Sequence, residues 1–264
     1  MNETSPLRGG DGEEGPLRLL LINPNMTAAV TERLAAVGRN VADPGAEIVA
    51  LTAPRGFPYI SARSEAQIAG VVAMEMIADH AEGADGAIIA AFGDPGLFAA
   101  RELFDFPVVG MSEAAMLTAC MLGGRFAIVT FTAALGPWFA DCVQAHGMTD
   151  RCAGVRTLDG AFASLSDVQD EKEALLVELA NKAVAEDGAD VVILAGAPLA
   201  GLAARVRTRI PVPIVDPIAA AVKQVETLAR LAPAKATAGG FARPASKPNL
   251  GLSPALGRLM AGEG

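Results

Sequence analysis

Aromatic residues are scarce in this chain of 264 residues: they make up 5%, with one Trp and one Tyr. With 52% hydrophobic residues, the core must be aliphatic and Ala-rich. Cysteine is scarce too. Three residues, an odd number, suit a reducing compartment rather than a disulfide framework. No His/Cys/carboxylate spacing suggests a metal, and no cofactor is expected. Positive charge is outnumbered, 21 basic to 30 acidic residues, so the formal net charge is −9. That excludes nucleic acid and anionic membrane as natural partners. No apolar run is long enough to cross a bilayer. The N-terminus lacks a basic region followed by an apolar one, so no signal peptide and a cytoplasmic location are expected. Residues 1–16 are Gly-rich and acidic and read as a disordered tail. From residue 232 onward the chain carries Pro, Gly and Lys and reads as a tail with one short helix.

What the chain does have is a stretch that occurs twice. Ala87-Ile88-Ile89-Ala90-Ala91 is wholly apolar, which suits a strand buried on both faces of a parallel sheet. It breaks at Phe92-Gly93-Asp94-Pro95-Gly96, and Leu97 to Leu103 reads as a helix start. Gly83-Ala84-Asp85 and the run after it match Gly188-Ala189-Asp190 and the run Val191 to Gly196. Pro107 to Gly110 matches Pro213 to Asp216, and Arg18 to Asn25 matches Arg125 to Thr132. A period near half the chain is too long for a solenoid. It predicts an α/β fold of two pseudo-symmetric lobes with mainly parallel, four-stranded sheets and a ligand site between them, at the strand ends. The division expected is lobe 1 over 17–122, closed by a helix at 217–231, and lobe 2 over 123–216.

Several polar positions fall at those strand ends. Asn23, Asn25 and Thr27 follow the first strand, where they serve as caps or as binding groups for an anion or carbonyl. Thr130 and Thr132 hold the equivalent place in the second lobe. Tyr59 lies on a loop with two prolines and an arginine, a packed loop or a lid. His80 and His146 each close a helix, at Ala62–His80 and Ala133–His146. A further helix is expected over Glu171–Glu186. Cys120 and Cys142 fall in helical patterns and Cys152 at the start of a strand, all as packing residues.

Asn23-Pro24-Asn25, Phe92-Gly93-Asp94-Pro95-Gly96-Leu97, Pro107-Val108-Val109-Gly110 with Glu113-Ala114-Ala115, and Val215-Asp216 with Ala219-Ala220-Ala221 resemble the hydantoin racemase branch of the aspartate/glutamate racemase superfamily. The resemblance runs from about Leu17 to Leu231. It implies flavodoxin-like lobes and cofactor-free racemisation at a carbon next to a carbonyl. It also implies two cysteines, one per lobe, facing each other across the substrate. One thiolate removes the proton and the other thiol returns it on the opposite face. At those two positions this chain carries Ala91 and Gly196. Neither side chain can carry a proton.

The reading is therefore a racemase-family enzyme acting on a small carboxylate or cyclic amide by a route other than the two-cysteine one. The alternatives are a non-catalytic small-molecule binder, or a lyase or hydrolase using a carboxylate or bound water. Asp94 and Tyr59 are the candidate catalytic residues, with Glu113 and Asp216 as further carboxylates. Asp94 also suits a turn residue before Pro, and Glu113 and Asp216 also suit helix capping. The candidate substrate-binding set is Asn23, Asn25, Thr27, Ala91, Phe92, Gly93, Thr130, Thr132, Gly196 and Ala197. A homo-oligomer is expected.

Overall fold

The structure, a computed structural model, describes residues 15–160, 164–165 and 167–263. Nearly all of the expected N-terminal tail lies outside them. In chain order the elements are β1 (Arg18–Asn23), α1 (Ala28–Val41), β2 (Glu47–Thr52), α2 (Arg63–His80), β3 (Gly86–Ile89), α3 (Leu97–Leu103), β4 (Val108–Gly110) and α4 (Met111–Leu122). They continue with β5 (Phe126–Thr130), α5 (Gly136–Ala145), β6 (Cys152–Thr157), α6 (Val168–Asp187), β7 (Val191–Leu194), α7 (Leu202–Val206), β8 (Ile214–Val215), α8 (Pro217–Leu231) and α9 (Pro254–Ala261).

Two four-stranded sheets result, in the orders β2-β1-β3-β4 and β6-β5-β7-β8, and every pairing is parallel. Parallel strands need crossover connections, and the helices that supply them cover both sheet faces. This is why Leu19 to Ile22, Ile88, Ile89, Phe126 to Val129 and Val191 to Leu194 are all essentially inaccessible.

The predicted repeat is visible strand for strand. Ile88 and Ile89 pair with Leu21 and Ile22, while Ile193 and Leu194 pair with Ile128 and Val129. Even the fastenings repeat. The backbone N–H of Arg18 donates to Asp85 Oδ2 at 2.8 Å, and that of Arg125 to Asp190 Oδ2 at 2.9 Å. The Asp of each Gly-Ala-Asp thus joins the start of its lobe's first strand to the start of its third.

α8 crosses back to pack on α1, α4 and β3 of the first lobe. The chain after it is more than a tail. α9 docks on α2 with Leu256 buried, and the Arg243 guanidinium donates to the Leu103 carbonyl oxygen at 3.0 Å. Two expected helices differ from those observed. Ala133–His146 is a short 3₁₀ turn, Ala133–Leu135, followed by α5. Pro137, in the first turn of α5, has no N–H to continue the earlier turn. α6 starts at Val168 rather than Glu171. No helix among the described residues is long and apolar enough to cross a membrane.

Candidate active site

The ends of β3 and β7 meet across a small cavity between the lobes. Its walls include Ala91 and Phe92 after β3, and Gly196, Ala197 and Pro198 after β7. Asn25, Tyr59 and Ile60 from lobe 1, and Phe131, Leu135, Trp138 and Phe139 from lobe 2, complete the lining. Scarce as aromatics are, five of them gather here. Phe92 and Phe139 lie with ring centroids 4.6 Å apart, and Tyr59 and Phe131 6.1 Å apart. The cavity holds about 30 Å³. A water needs about 10–15 Å³ of such space, so this closed form admits water and not a ring compound.

Of the candidate binding residues, Asn25, Ala91, Phe92, Gly196 and Ala197 line this cavity, with the candidate catalytic Tyr59. Asn25 is fixed by its neighbours: its Oδ1 accepts from Asn23 Nδ2 (3.2 Å) and from the Thr27 N–H (3.0 Å). Among the described residues its Nδ2 donates to no protein group. Burial and the nearby Glu65 push the Tyr59 phenol well above its ordinary pKa, so it stays a neutral O–H.

The other candidates serve the frame. Asn23 is fully buried and donates to Thr31 Oγ1 at 2.8 Å. The Thr27 hydroxyl donates to the Pro58 carbonyl oxygen at 2.6 Å and so ties the Tyr59 loop to α1. Thr130 is buried and donates to the Ala195 carbonyl oxygen at 2.8 Å, locking β5 to β7. Thr132 precedes the 3₁₀ turn and does not reach the cavity wall.

Gly93 and Asp94 turn away from the cavity. The Gly93 N–H donates to Ser112 Oγ at 2.7 Å. Asp94 adopts a left-handed backbone, φ +48°, which Asp tolerates better than most residues. Its carboxylate accepts from the N–H groups of Ser112 and Glu113, both at 2.8 Å, at the N-terminus of α4. That end of a helix favours negative charge.

Behind this turn lies a network that the linear sequence hides. His146, just past α5, brings Nε2 to 3.1 Å from Asp94 Oδ2 and Nδ1 to 3.4 Å from Glu113 Oε1. Glu113 forms a bidentate pair with Arg101. Burial opposes charge on His146, but its hydrogen bonds to Asp94, Cys142 and Glu113 prevail and push its pKa up to about 11. Burial likewise opposes charge on Glu113, yet His146 and Arg101 bring it down to about 2.

Two expected packing roles hold and a further contact joins each. His146 ends its helix and also reaches the β3 turn from the opposite lobe. Cys142 is buried in the core, with its thiol 3.3 Å from Ser112 Oγ. Asp94, Cys142 and His146 have their ligand atoms all within 4.8 Å of one another. The signal was in the sequence. Cys142 and His146 are four residues apart, which puts them on one face of a helix.

On the β7 side, Gly196 has φ +117°, a conformation that L side chains rarely adopt. A Cβ built there lies 2.9 Å from Phe131 Cε1. The turn is fastened by Asp216, whose Oδ2 accepts from the Gly201 N–H at 2.6 Å. Its Oδ1 caps α8 through Ile218 and Ala219.

Known proteins share this architecture. The family profile for Asp/Glu/hydantoin racemases matches residues 19–225. A hydantoin racemase of Paenarthrobacter aurescens is 32% identical over 235 residues, covering 88% of this chain and 99% of the relative. The allantoin racemase of Klebsiella pneumoniae superposes with a TM-score of 0.85 at 36% identity, over 92% of this chain and 98% of the other. That of Pseudomonas fluorescens gives 0.82 at 33% identity, over 89% and 100%. This chain belongs to the Asp/Glu/hydantoin racemase family.

Proposed function

We propose that the inter-lobe cavity, in an opened form, takes a small carboxylate or cyclic amide and acts at the carbon next to its carbonyl without a thiol pair. Hydantoins and allantoin, the compounds in the relatives' names, are the first to test. One observation carries this reading: Ala91 and Gly196, which have no proton-bearing side-chain atom, line the same cavity from opposite strand ends. Among the described residues Tyr59 is the only titratable one in the lining, and it is held neutral. The protein then contributes hydrogen-bond donors rather than a base. Asn25 Nδ2 and the Tyr59 O–H face the oxygen on which charge develops as the α-proton leaves, and solvent exchanges that proton. We further place the protein in the cytoplasm as a homo-oligomer.

The test is exchange of the α-hydrogen for deuterium in D₂O, followed by proton NMR. Exchange above the buffer rate is expected, insensitive to thiol alkylation, and lowered by Tyr59→Phe. Removing one such donor costs about 10²–10³-fold where it stabilises an oxyanion. Exchange abolished by alkylation restores a thiol route. The second reading, a binder without catalysis, is favoured by the same lack of a base. It requires a ligand-induced rise in Tm with no exchange.

A further inference from the structure

We propose that Asp94, Cys142 and His146 form a binding site for a divalent transition-metal ion, zinc foremost, at the junction of the two lobes. The proposal is independent of the chemistry in the cavity, which none of the three lines. Their ligand atoms lie within 4.8 Å of one another, and the donor set of carboxylate oxygen, thiolate sulfur and imidazole nitrogen suits Zn²⁺.

The surroundings are what such a site needs. Metal-binding imidazoles are oriented through the other ring nitrogen, often by a carboxylate. Here Nε2 faces Asp94, and Nδ1 faces Glu113, which Arg101 holds in turn. Asp94 is aimed by the two N–H groups at the start of α4. Ser112 Oγ lies 3.3 Å from the thiol.

Charge also balances. Without metal, the carboxylates of Asp94 and Glu113 face the cations of His146 and Arg101, and Cys142 is a neutral thiol. Binding forms metal–nitrogen, metal–sulfur and metal–oxygen bonds and releases two protons to solvent, from His146 Nε2 and Cys142 Sγ. One divalent ion then replaces two protons and the net charge is unchanged. On its outer side the His146 ring packs against Phe98, itself 43% exposed, at a centroid distance of 5.3 Å.

The experiment is titration of chelator-stripped full-length protein with Co²⁺, read by its visible and near-ultraviolet absorption. One Co²⁺ per chain is expected, with a thiolate-to-cobalt charge-transfer band that zinc abolishes by displacement. The band disappears in Cys142→Ser and persists in the Cys120→Ser/Cys152→Ser double variant. His146→Gln weakens uptake at least tenfold, on the usual cost of losing a ligand or its orienting partner. Should Cys142→Ser not fold, X-ray absorption of the zinc-loaded unmodified protein decides, with one sulfur scatterer expected. No stoichiometric uptake by the unmodified protein, a band that survives Cys142→Ser, or a zinc shell without sulfur overturns the proposal.

Discussion

The turn after β3 and the turn after β7 do the same task in opposite directions. Each must fasten the end of a central strand to the N-terminus of a following helix, and each uses one aspartate, buried in lobe 1 and half-buried in lobe 2. In lobe 1 the aspartate sits on the turn: Asp94 reaches forward to the N–H groups of α4. In lobe 2 it sits on the helix: Asp216 caps α8 and reaches back to Gly201 on the turn. The residue matching Asp216 in lobe 1 is Gly110, and a Cβ there collides with the Asp94 carboxylate. The two solutions are mutually exclusive within a lobe. Among the described residues, the forward-reaching aspartate alone pairs with a titratable side chain of the other lobe, His146. The repeat is thus symmetric in backbone and asymmetric in electrostatics.

The comparison is broken most severely by removing each aspartate in turn. Asp94→Ala leaves a buried imidazolium short of a partner and two helix N–H groups unpaired. A loss of about 3–5 kcal/mol is expected in denaturant unfolding, the usual consequence of breaking a buried ion pair. Asp216→Ala removes a cap and a turn fastening but strands no cation. About 2 kcal/mol is expected, the upper range for an N-cap. Equal losses would mean that His146 adds nothing to the lobe 1 turn.

A sharper test exchanges the solutions. Gly110→Ala forces a methyl against Asp94 and is expected to cost about 1–3 kcal/mol by overpacking. In an Asp94→Ala background the same methyl meets no carboxylate and presses only on the tip of the Leu97 side chain, 2.6 Å away, so part of that cost vanishes. Additive losses in the double-mutant cycle would show that Gly110 is set by something other than Asp94.

The two turns also differ in their welcome for a cysteine. Gly196→Cys must adopt φ +117° and displace the Phe131 ring, which costs about 1–3 kcal/mol. Ala91→Cys already has a Cβ in place and is expected to change stability less. Placing both thiols therefore does not by itself build a two-thiol site, because position 196 has a glycine-type backbone with an aromatic ring packed against it. Midpoint shifts in urea, measured for the two single variants, check the order.

The fold was legible because its signals are local and repeated. The apolar runs at Ile88-Ile89 and Ile193-Leu194, each preceded by Gly-Ala-Asp, mark central parallel strands without any knowledge of the rest. Part of the site was legible for the same reason, since Ala91 and Gly196 end those two strands and therefore face one cavity. What was not legible depends on how the lobes meet. His146 looks like a helix end until α5 is laid against the β3 turn. Asp94 looks like a catalytic candidate until its φ of +48° swings the carboxylate away from the cavity. The clustering of Phe92, Phe131, Trp138 and Phe139 joins residues up to 47 positions apart, beyond the reach of helical or strand periodicity.

The smallest effect belongs to the second tie between the lobes. Arg63 at the start of α2 pairs with Asp141 in the middle of α5, so α5 is held to lobe 1 there and, just past its C-terminus, by His146. The two ties differ in their surroundings. The side chains of Arg63 and Asp141 are 60% and 49% exposed, whereas those of His146 and Asp94 are 4% and 2% exposed. Exposed pairs exchange one set of hydrogen bonds for another with water and are screened by salt, so many contribute nothing measurable. Arg63→Ala is therefore expected to leave Tm unchanged in physiological salt, while His146→Ala lowers it. Differential scanning fluorimetry of both variants at low and high ionic strength is the measurement. A drop in Tm for Arg63→Ala that persists in high salt would make the exposed tie a working part of lobe closure. Without such a drop, the buried network behind the β3 turn is what holds α5 over the cavity, and opening to admit a ring compound must proceed by breaking it or by moving α5 and the β3 turn together.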